Sequence, residues 1–208
     1  MRMRLLLIRH GATAGNLEGR YIGRTDEPML ETSREKLFQM REAGIFPAPE
    51  RVYTSPLWRC RETAEILFPE REAIVVPDFA ECAFGAFEGK NYAELNGDPA
   101  YQAFIDSGGE LAFPGGESRT EVEARVVGGL MDVLRTRERD GCDQLLAFVV
   151  HGGTILSILH HYFGGAPFSR RVGCGEGGLL TFASIEKAVS WEKIFEKNAC
   201  IFRPHPLQ

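Results

Sequence analysis

Leu5-Leu6-Leu7-Ile8-Arg9-His10-Gly11 begins with four aliphatic side chains in a row and breaks off at a base, a histidine and a glycine. A run with no polar face reads as a short strand buried on both sides, the kind found in the parallel sheets of α/β proteins. In open α/β sheets ligands gather beyond the carboxyl ends of the strands, and a glycine there lets backbone approach a ligand closely. Far along the chain, Leu145-Leu146-Ala147-Phe148-Val149-Val150 runs straight into His151-Gly152-Gly153 and repeats the pattern. A lone histidine at a strand end is more often structural. Two matching ends point to chemistry at His10 and His151.

The chain has 208 residues, 44% hydrophobic and 25% charged. That is enough apolar material for one sizeable core, so one domain over residues 1–208 with a small cap is expected. A formal charge of −5 argues against nucleic acid as a partner, since that needs a basic surface. An anionic ligand must then be held by locally clustered arginines. Cys60, Cys82, Cys142, Cys174 and Cys200 are scattered without C-x-x-C spacing. Their odd number suits free thiols in a reducing compartment, and no zinc site is legible. The apolar run after Arg2 and Arg4 is too short for a signal core or a membrane span, so a cytoplasmic protein with no membrane partner is expected. Oligomeric state is not legible.

Between Gly11 and Pro28 the chain is rich in Gly, Asn, Thr and Asp and reads as a long polar loop, of the length that is often functional. A surface helix follows from Glu31, with Leu37 and Met40 inward and Gly44 as its stop. Glu50–Thr54 reads as a strand, and Ser55-Pro56 as the N-cap and first residue of a helix whose buried stripe is Leu57, Cys60, Ala64 and Leu67. A basic residue in that helix's first turns opposes its dipole, so Arg59 is poorly placed unless it binds an anion, whereas Arg61 reads as solvated. After a strand at Ile74–Pro77, Glu81 lies among Phe79, Phe84 and Phe87. Desolvation there would raise a carboxyl pKa and make it a usable general acid; Glu88 is the second choice. Residues 90–114 read as a cap insertion. Ser118 and Glu121 make a capping box before a scaffold helix striped by Val122, Val126, Leu130 and Val133. His160 and His161, on the helix after His151, read as structural or surface residues. Gly173–Gly178 is glycine-rich but precedes a strand, the wrong order for a nucleotide loop. A closing hairpin is expected to pair Leu179–Phe182 with Trp191–Phe195, and the tail from Asn198, with His205, carries no chemistry.

Taken together, Leu7-Ile8-Arg9-His10-Gly11-Ala12-Thr13 with Asn16, Gly23-Arg24-Thr25-Asp26-Glu27-Pro28, Ser55-Pro56-Leu57-Trp58-Arg59 with Thr63-Ala64, Glu81 with Phe84-Gly85 and Glu88-Gly89, Pro114-Gly115-Gly116-Glu117-Ser118, and Val150-His151-Gly152 resemble the histidine phosphatase superfamily, also called phosphoglycerate-mutase-like. The resemblance runs over nearly the whole chain. It implies a three-layer α/β/α sandwich with a mostly parallel central sheet, and no metal or organic cofactor. It also implies His10 as the nucleophile, Arg9 and Arg59 as phosphate clamps, His151 as the second histidine of the pocket, Glu81 as proton donor and Asn16 completing the pocket. Gly23 and Gly152 are expected beside the substrate. Ser33 stands where the family often has glycine, and Ala12 where an acidic residue is frequent. Neither bears on the core chemistry.

Lys90 is the only basic residue between Lys90 and Phe113, against Glu94, Asp98, Asp106 and Glu110. The mutases of this family carry a longer, basic insertion there for a second phosphate. The branch most resembled is therefore that of the alpha-ribazole and broad-specificity phosphatases. The expected substrate is a small-molecule phosphomonoester whose alcohol meets Phe84, Phe87, Tyr92 and Phe104. Cofactor-dependent phosphoglycerate mutase and phosphoprotein phosphatase are the alternatives within the family. A serine esterase is disfavoured because no G-x-S-x-G elbow exists, and a non-catalytic phospholigand module because both His10 and Glu81 are present.

Overall fold

The computed structural model describes residues 3–139, 144–165 and 170–194. Six strands form one mixed sheet: β1 (Arg4–Arg9), β2 (Arg51–Thr54), β3 (Ala73–Val75), β4 (Leu145–Val150), β5 (Gly177–Ser184) and β6 (Lys187–Lys193), in the order β3-β2-β4-β1-β5-β6. The four strands from β3 to β1 run parallel, and β5 and β6 add an antiparallel edge. Among the described residues there are six helices: α1 (Ala14–Leu17), α2 (Glu31–Glu42), α3 (Trp58–Leu67), α4 (Pro99–Asp106), α5 (Arg119–Glu138) and α6 (Gly152–Phe163).

The apolar runs explain the layering. Because side chains alternate along a strand, Leu5 and Leu7 of β1 face one way and Leu6 and Ile8 the other. Leu5, Leu7, Leu146, Phe148 and Val150 join a core with α5 and α6. Leu6, Ile8, Ala147 and Val149 join a second core with α2 and α3. α2, the first long helix after β1, and α6, which follows β4, thus lie on opposite faces, although the two strands are neighbours. The crevice between them is where an open α/β sheet binds its ligand.

Several sequence expectations shift by a turn or a face. Ser55 does not cap α3, which starts at Trp58 behind an N-cap at Leu57. The helix also buries Arg59, Thr63 and Ile66 beside the expected stripe. In α5 the stripe ends on Leu134, not Val133, as a pitch of 3.6 residues favours. β3 is a three-residue edge strand with Ile74 and Val75 exposed. The closing hairpin forms, but β5 starts at Gly177 and β6 at Lys187. Asn198–Gln208, with His205, lies outside the described residues, as do Cys142 and Cys200. Among the described residues no helix is long and apolar enough to cross a membrane.

Segment 90–114 carries α4, with Asp98 accepting from the N–H groups of Ala100 and Tyr101, and Pro99 in its first turn. It is fastened to the loop after β1. Arg20 donates to the Gly89 carbonyl and to Glu94, both at 2.6 Å, and Tyr21 packs against Phe84, Phe87, Tyr101 and Phe113.

Candidate active site

Arg9 and Val150 are register partners in a parallel pair, so the residues that follow them leave the sheet side by side. The rings of His10 and His151 lie with centroids 5.1 Å apart at 66°, both buried. His10 Nδ1 lies 2.7 Å from the Gly11 carbonyl. A carbonyl only accepts, so Nδ1 carries the proton and the neutral ring keeps a bare lone pair on Nε2. Burial, followed by the charges of Arg59 and Arg9, pushes the His10 pKa well below the usual histidine range, and the Gly11 bond that works the other way does not reverse it. His151 is held neutral in the same direction by burial, then by His10, Arg59 and Arg9. A neutral imidazole with a free Nε2 is the form that attacks phosphorus.

The Gly11 peptide is itself fixed, since its N–H donates to Thr63 Oγ1 at 3.0 Å and that hydroxyl reaches the Arg59 carbonyl at 2.7 Å. There is no room for a side chain at Gly11: a Cβ would lie 2.5 Å from Met29 Sδ.

Arg59 is fully buried. It donates to the carbonyls of Thr25 (2.7 Å), Gly23 (2.9 Å) and Ile22 (3.4 Å), while Arg9 donates to the Val172 carbonyl at 3.0 Å. The Nε atoms of both guanidiniums are buried without a partner, and among the described residues no carboxylate pairs with either. For Arg59, a charge so buried with no ion-pair partner costs several kcal/mol. Two guanidiniums so placed beside neutral imidazoles make a site for an anion.

The remaining expected residues divide into those that face this site and those that build it. Glu81 is brought to the N-terminus of α6, where its carboxylate accepts from the N–H groups of Cys82 (2.9 Å) and Gly153 (3.1 Å). A Cβ on Gly153 would fall 2.3 Å from Glu81 Oε1. Gly152 opens the same helix with space for Arg9, whose guanidinium would lie 3.4 Å from a Cβ there. Asn16 accepts from the Thr13 N–H through its amide oxygen at 3.1 Å, which leaves its NH2 as the donor for a ligand. Gly23 differs from expectation. Its N–H is taken by Glu88 at 2.8 Å and its carbonyl by Arg59, and a Cβ would sit 2.0 Å from the Cys82 carbonyl. Gly23 therefore positions Arg59, with no N–H free for a substrate. Glu88, the second choice for the acid, braces the same loop by accepting from Gly23 and Thr25.

Residues 5–186 match the family model of the histidine phosphatase superfamily, branch 1. The chain belongs to this superfamily. As a histidine phosphatase it is an enzyme that acts on phosphate esters. It is 31% identical over 161 residues to a metal-independent phosphoserine phosphatase of Arabidopsis thaliana, covering 74% of this chain and 66%, just under two thirds, of that protein. A 2,3-bisphosphoglycerate-dependent phosphoglycerate mutase of Gloeobacter violaceus is 29% identical over 166 residues, 74% of this chain and 73% of that one. The crystal structure of an alpha-ribazole phosphatase from Shigella flexneri superposes with a TM-score of 0.76 at 25% identity, covering 90% of this chain and 94% of that one.

In this histidine phosphatase the P-G-G-E-S run is a fastener. A Cβ on Gly85 would lie 2.2 Å from the Pro114 carbonyl, and one on Gly116 2.2 Å from the Ala83 carbonyl, so the two loops meet backbone on backbone. Glu117 accepts from the Ala83 N–H at 2.8 Å and from Arg125 at 2.9 Å. Arg125 also donates to the carbonyls of Asp78 and Ala80, which pins the segment that carries Glu81. The expected aromatic contacts need revision: Phe87 is only 1% exposed and packs on Phe104 and Phe113 away from solvent, while Tyr92 is 72% exposed.

Two features escaped the sequence reading. Glycine-rich residues 173–177 are no nucleotide loop, but they do wall the site. The Gly175 N–H donates to the carbonyls of Arg9 and His10 and the Arg9 N–H to the Glu176 carbonyl, while Cys174 Sγ lies 3.6 Å from Asn16 Oδ1. Ser55 Oγ lies 2.6 Å from His151 Nε2. The available signal was its place directly after a strand, the same place that singled out both histidines. Among the described residues no three His, Cys, Asp or Glu side chains gather as a metal-holding group.

Proposed function

We propose that this chain hydrolyses a small-molecule phosphomonoester through a phosphohistidine on His10, in the cytoplasm and without a metal ion or organic cofactor. The observation that carries the reading is a pair of guanidiniums, the fully buried Arg59 and the half-buried Arg9, each with a buried and unpartnered Nε, around an imidazole whose Nε2 is free to attack. His10 Nε2 attacks phosphorus, the P–O bond to the alcohol breaks, and Glu81 gives its proton to the leaving oxygen. Glu81, now ionised, takes a proton from water as the water oxygen attacks the phosphohistidine. The P–N bond breaks and the electron pair returns to Nε2. A phosphoryl transition state spreads charge over its oxygens, so Arg9, Arg59, His151 and the Asn16 NH2 stabilise it by position alone. One carboxylate serves as acid and then as base.

The names of the Arabidopsis and Shigella relatives support a metabolite phosphatase. The acidic segment 90–114 supports the same choice over a mutase, having no cluster of bases for a second phosphate. We take that segment as the cap that meets the alcohol. The test is a panel of phosphomonoesters, with mutase activity on 3-phosphoglycerate alongside and chelator present in parallel, and with phosphohistidine trapped by rapid quench under alkaline conditions. Labelled His10 and chelator-resistant release of phosphate are expected. A requirement for magnesium or zinc, or no phosphoenzyme, would overturn the mechanism.

A further inference from the structure

We propose that Ser55 is a positioning residue for the reaction: its hydroxyl donates to His151 Nε2 and so fixes that ring as the Nδ1–H tautomer, turning a neutral imidazole into a donor toward phosphoryl oxygen. The proposal rests on the function proposed above for His151, and concerns what makes that role available.

Ser55 follows the last residue of β2, and its N–H donates to the Val149 carbonyl at 3.2 Å, so the residue is fixed to the strand that delivers His151. Both side chains are fully buried, and Oγ lies 2.6 Å from Nε2. The direction of that bond follows from counting hydrogens. A hydroxyl has one hydrogen and two lone pairs. One lone pair of Oγ is taken by the Leu57 N–H at 3.3 Å. If Nε2–H filled the other, the hydroxyl hydrogen, buried with its residue, would need an acceptor of its own. The sulfur of Cys60, itself 3.4 Å from Nε2, is a poor one, and a buried polar hydrogen left unmatched is destabilising. If Oγ–H donates to Nε2 instead, the hydroxyl hydrogen and Nε2 match each other, and the hydrogen left over is on the ring. It sits on Nδ1, near which Cys60 Sγ at 3.7 Å is a weak acceptor. Nδ1–H is the nitrogen left for a ligand.

The reasoning matters because His151 is held neutral. A charged imidazolium donates from both nitrogens whatever its neighbours; a neutral ring donates from one, and the partner of the other decides which. Without Ser55 the ring is free to place its proton on Nε2. It would then turn a lone pair toward the phosphate, which repels where it should donate.

Two measurements test this on the full chain. Long-range proton–nitrogen NMR of histidine-labelled enzyme, with and without orthovanadate, reads the tautomer of His151 directly. We expect Nδ1–H in the wild type and loss of that signature in Ser55→Ala. Steady-state kinetics with para-nitrophenyl phosphate should show kcat falling about tenfold or more in Ser55→Ala, with KM changing less, because the lost donor acts most on the transition state. Ser55→Thr, which keeps the hydroxyl, should restore both signature and rate. An Nε2–H tautomer in the wild type overturns the proposal even where Ser55→Ala does not fold. An unchanged tautomer and rate in a folded Ser55→Ala overturn it too. Neither result touches the phosphohistidine on His10, whose absence from the wild type would instead overturn the proposed function.

Discussion

His10 and His151 leave neighbouring strands in register and are both buried and held neutral, yet they offer the site opposite ends of the same ring. His10 gives its Nδ1 proton to a carbonyl, an acceptor that cannot donate back, and so presents the bare Nε2. His151 meets a hydroxyl at Nε2 and so presents Nδ1–H. The difference is not in the histidines or in the strands. It lies in the one group beyond each ring, a peptide carbonyl against a serine hydroxyl, and it separates a nucleophile from a donor although the pKa of each is lowered in the same direction.

The largest effect should come from breaking the nucleophile. His10→Ala should abolish turnover, on the order of 10⁴-fold or more, and no labelled phosphoenzyme should form with any substrate. His151→Ala removes one donor of several, so it should slow turnover on the order of 10²-fold while phosphohistidine still forms slowly on His10. Labelled protein in His10→Ala, or equal losses in both, would dissolve the contrast between the two rings.

Next in size are the arginines that give both histidines an anion to work on. Arg59→Ala should cost on the order of 10² or more in kcat/KM, and Arg59→Lys should recover little, since an ammonium cannot hold the carbonyls of Ile22, Gly23 and Thr25 and a phosphate together. Arg61, stacked over the Trp58 ring on the surface, should tolerate alanine. Matching losses at positions 59 and 61 would contradict the anion site.

A third test sharpens which step each group serves. In Glu81→Gln an alkyl phosphate should be nearly inert, because its leaving group needs a proton. An aryl phosphate leaves with little help, so His10 should still be phosphorylated and the intermediate should accumulate with no base to activate water. Equal slowing of both substrates, with no labelled protein, would remove Glu81 from the role.

The parts of this molecule that could be read in advance are those whose chemistry is local in sequence. Apolar runs ending in histidine marked β1, β4 and the switch between them, and the capping box at Ser118 and Glu121 marked α5 to the residue. The fold followed, and the residues expected at the site lie together at the ends of β1 and β4. What stayed hidden is set by contacts between distant segments. Glu88 looks like a possible acid until the N–H groups of Gly23 and Thr25 are seen to occupy it. Residues 173–177 look like a misplaced nucleotide loop until they are found against the end of β1. Ser55 reads as a helix cap because that is what serine before proline does locally, and only the folded sheet sets it 2.6 Å from His151.

The smallest expected effect is thermodynamic and tests what the two histidines share, the refusal of a proton in the folded state. Each is buried neutral with its pKa lowered, while in the unfolded chain it titrates near ~6.5. Above that pH neither state binds the proton and the full stability is present. As pH falls below it, the unfolded chain gains protons the folded chain refuses, so stability drops by about 1.4 kcal/mol per pH unit for each histidine until the folded value is reached. Urea unfolding of the wild type should show this slope between roughly pH 6.5 and 5, above the range where ordinary carboxylates titrate. His10→Asn and His151→Asn should each make it shallower. Arg59 and Arg9 oppose a proton on either ring, so both variants are expected to lose slope in the same window. A slope left unchanged by either substitution would mean that the histidine it replaces takes a proton in the folded protein as readily as in the unfolded chain.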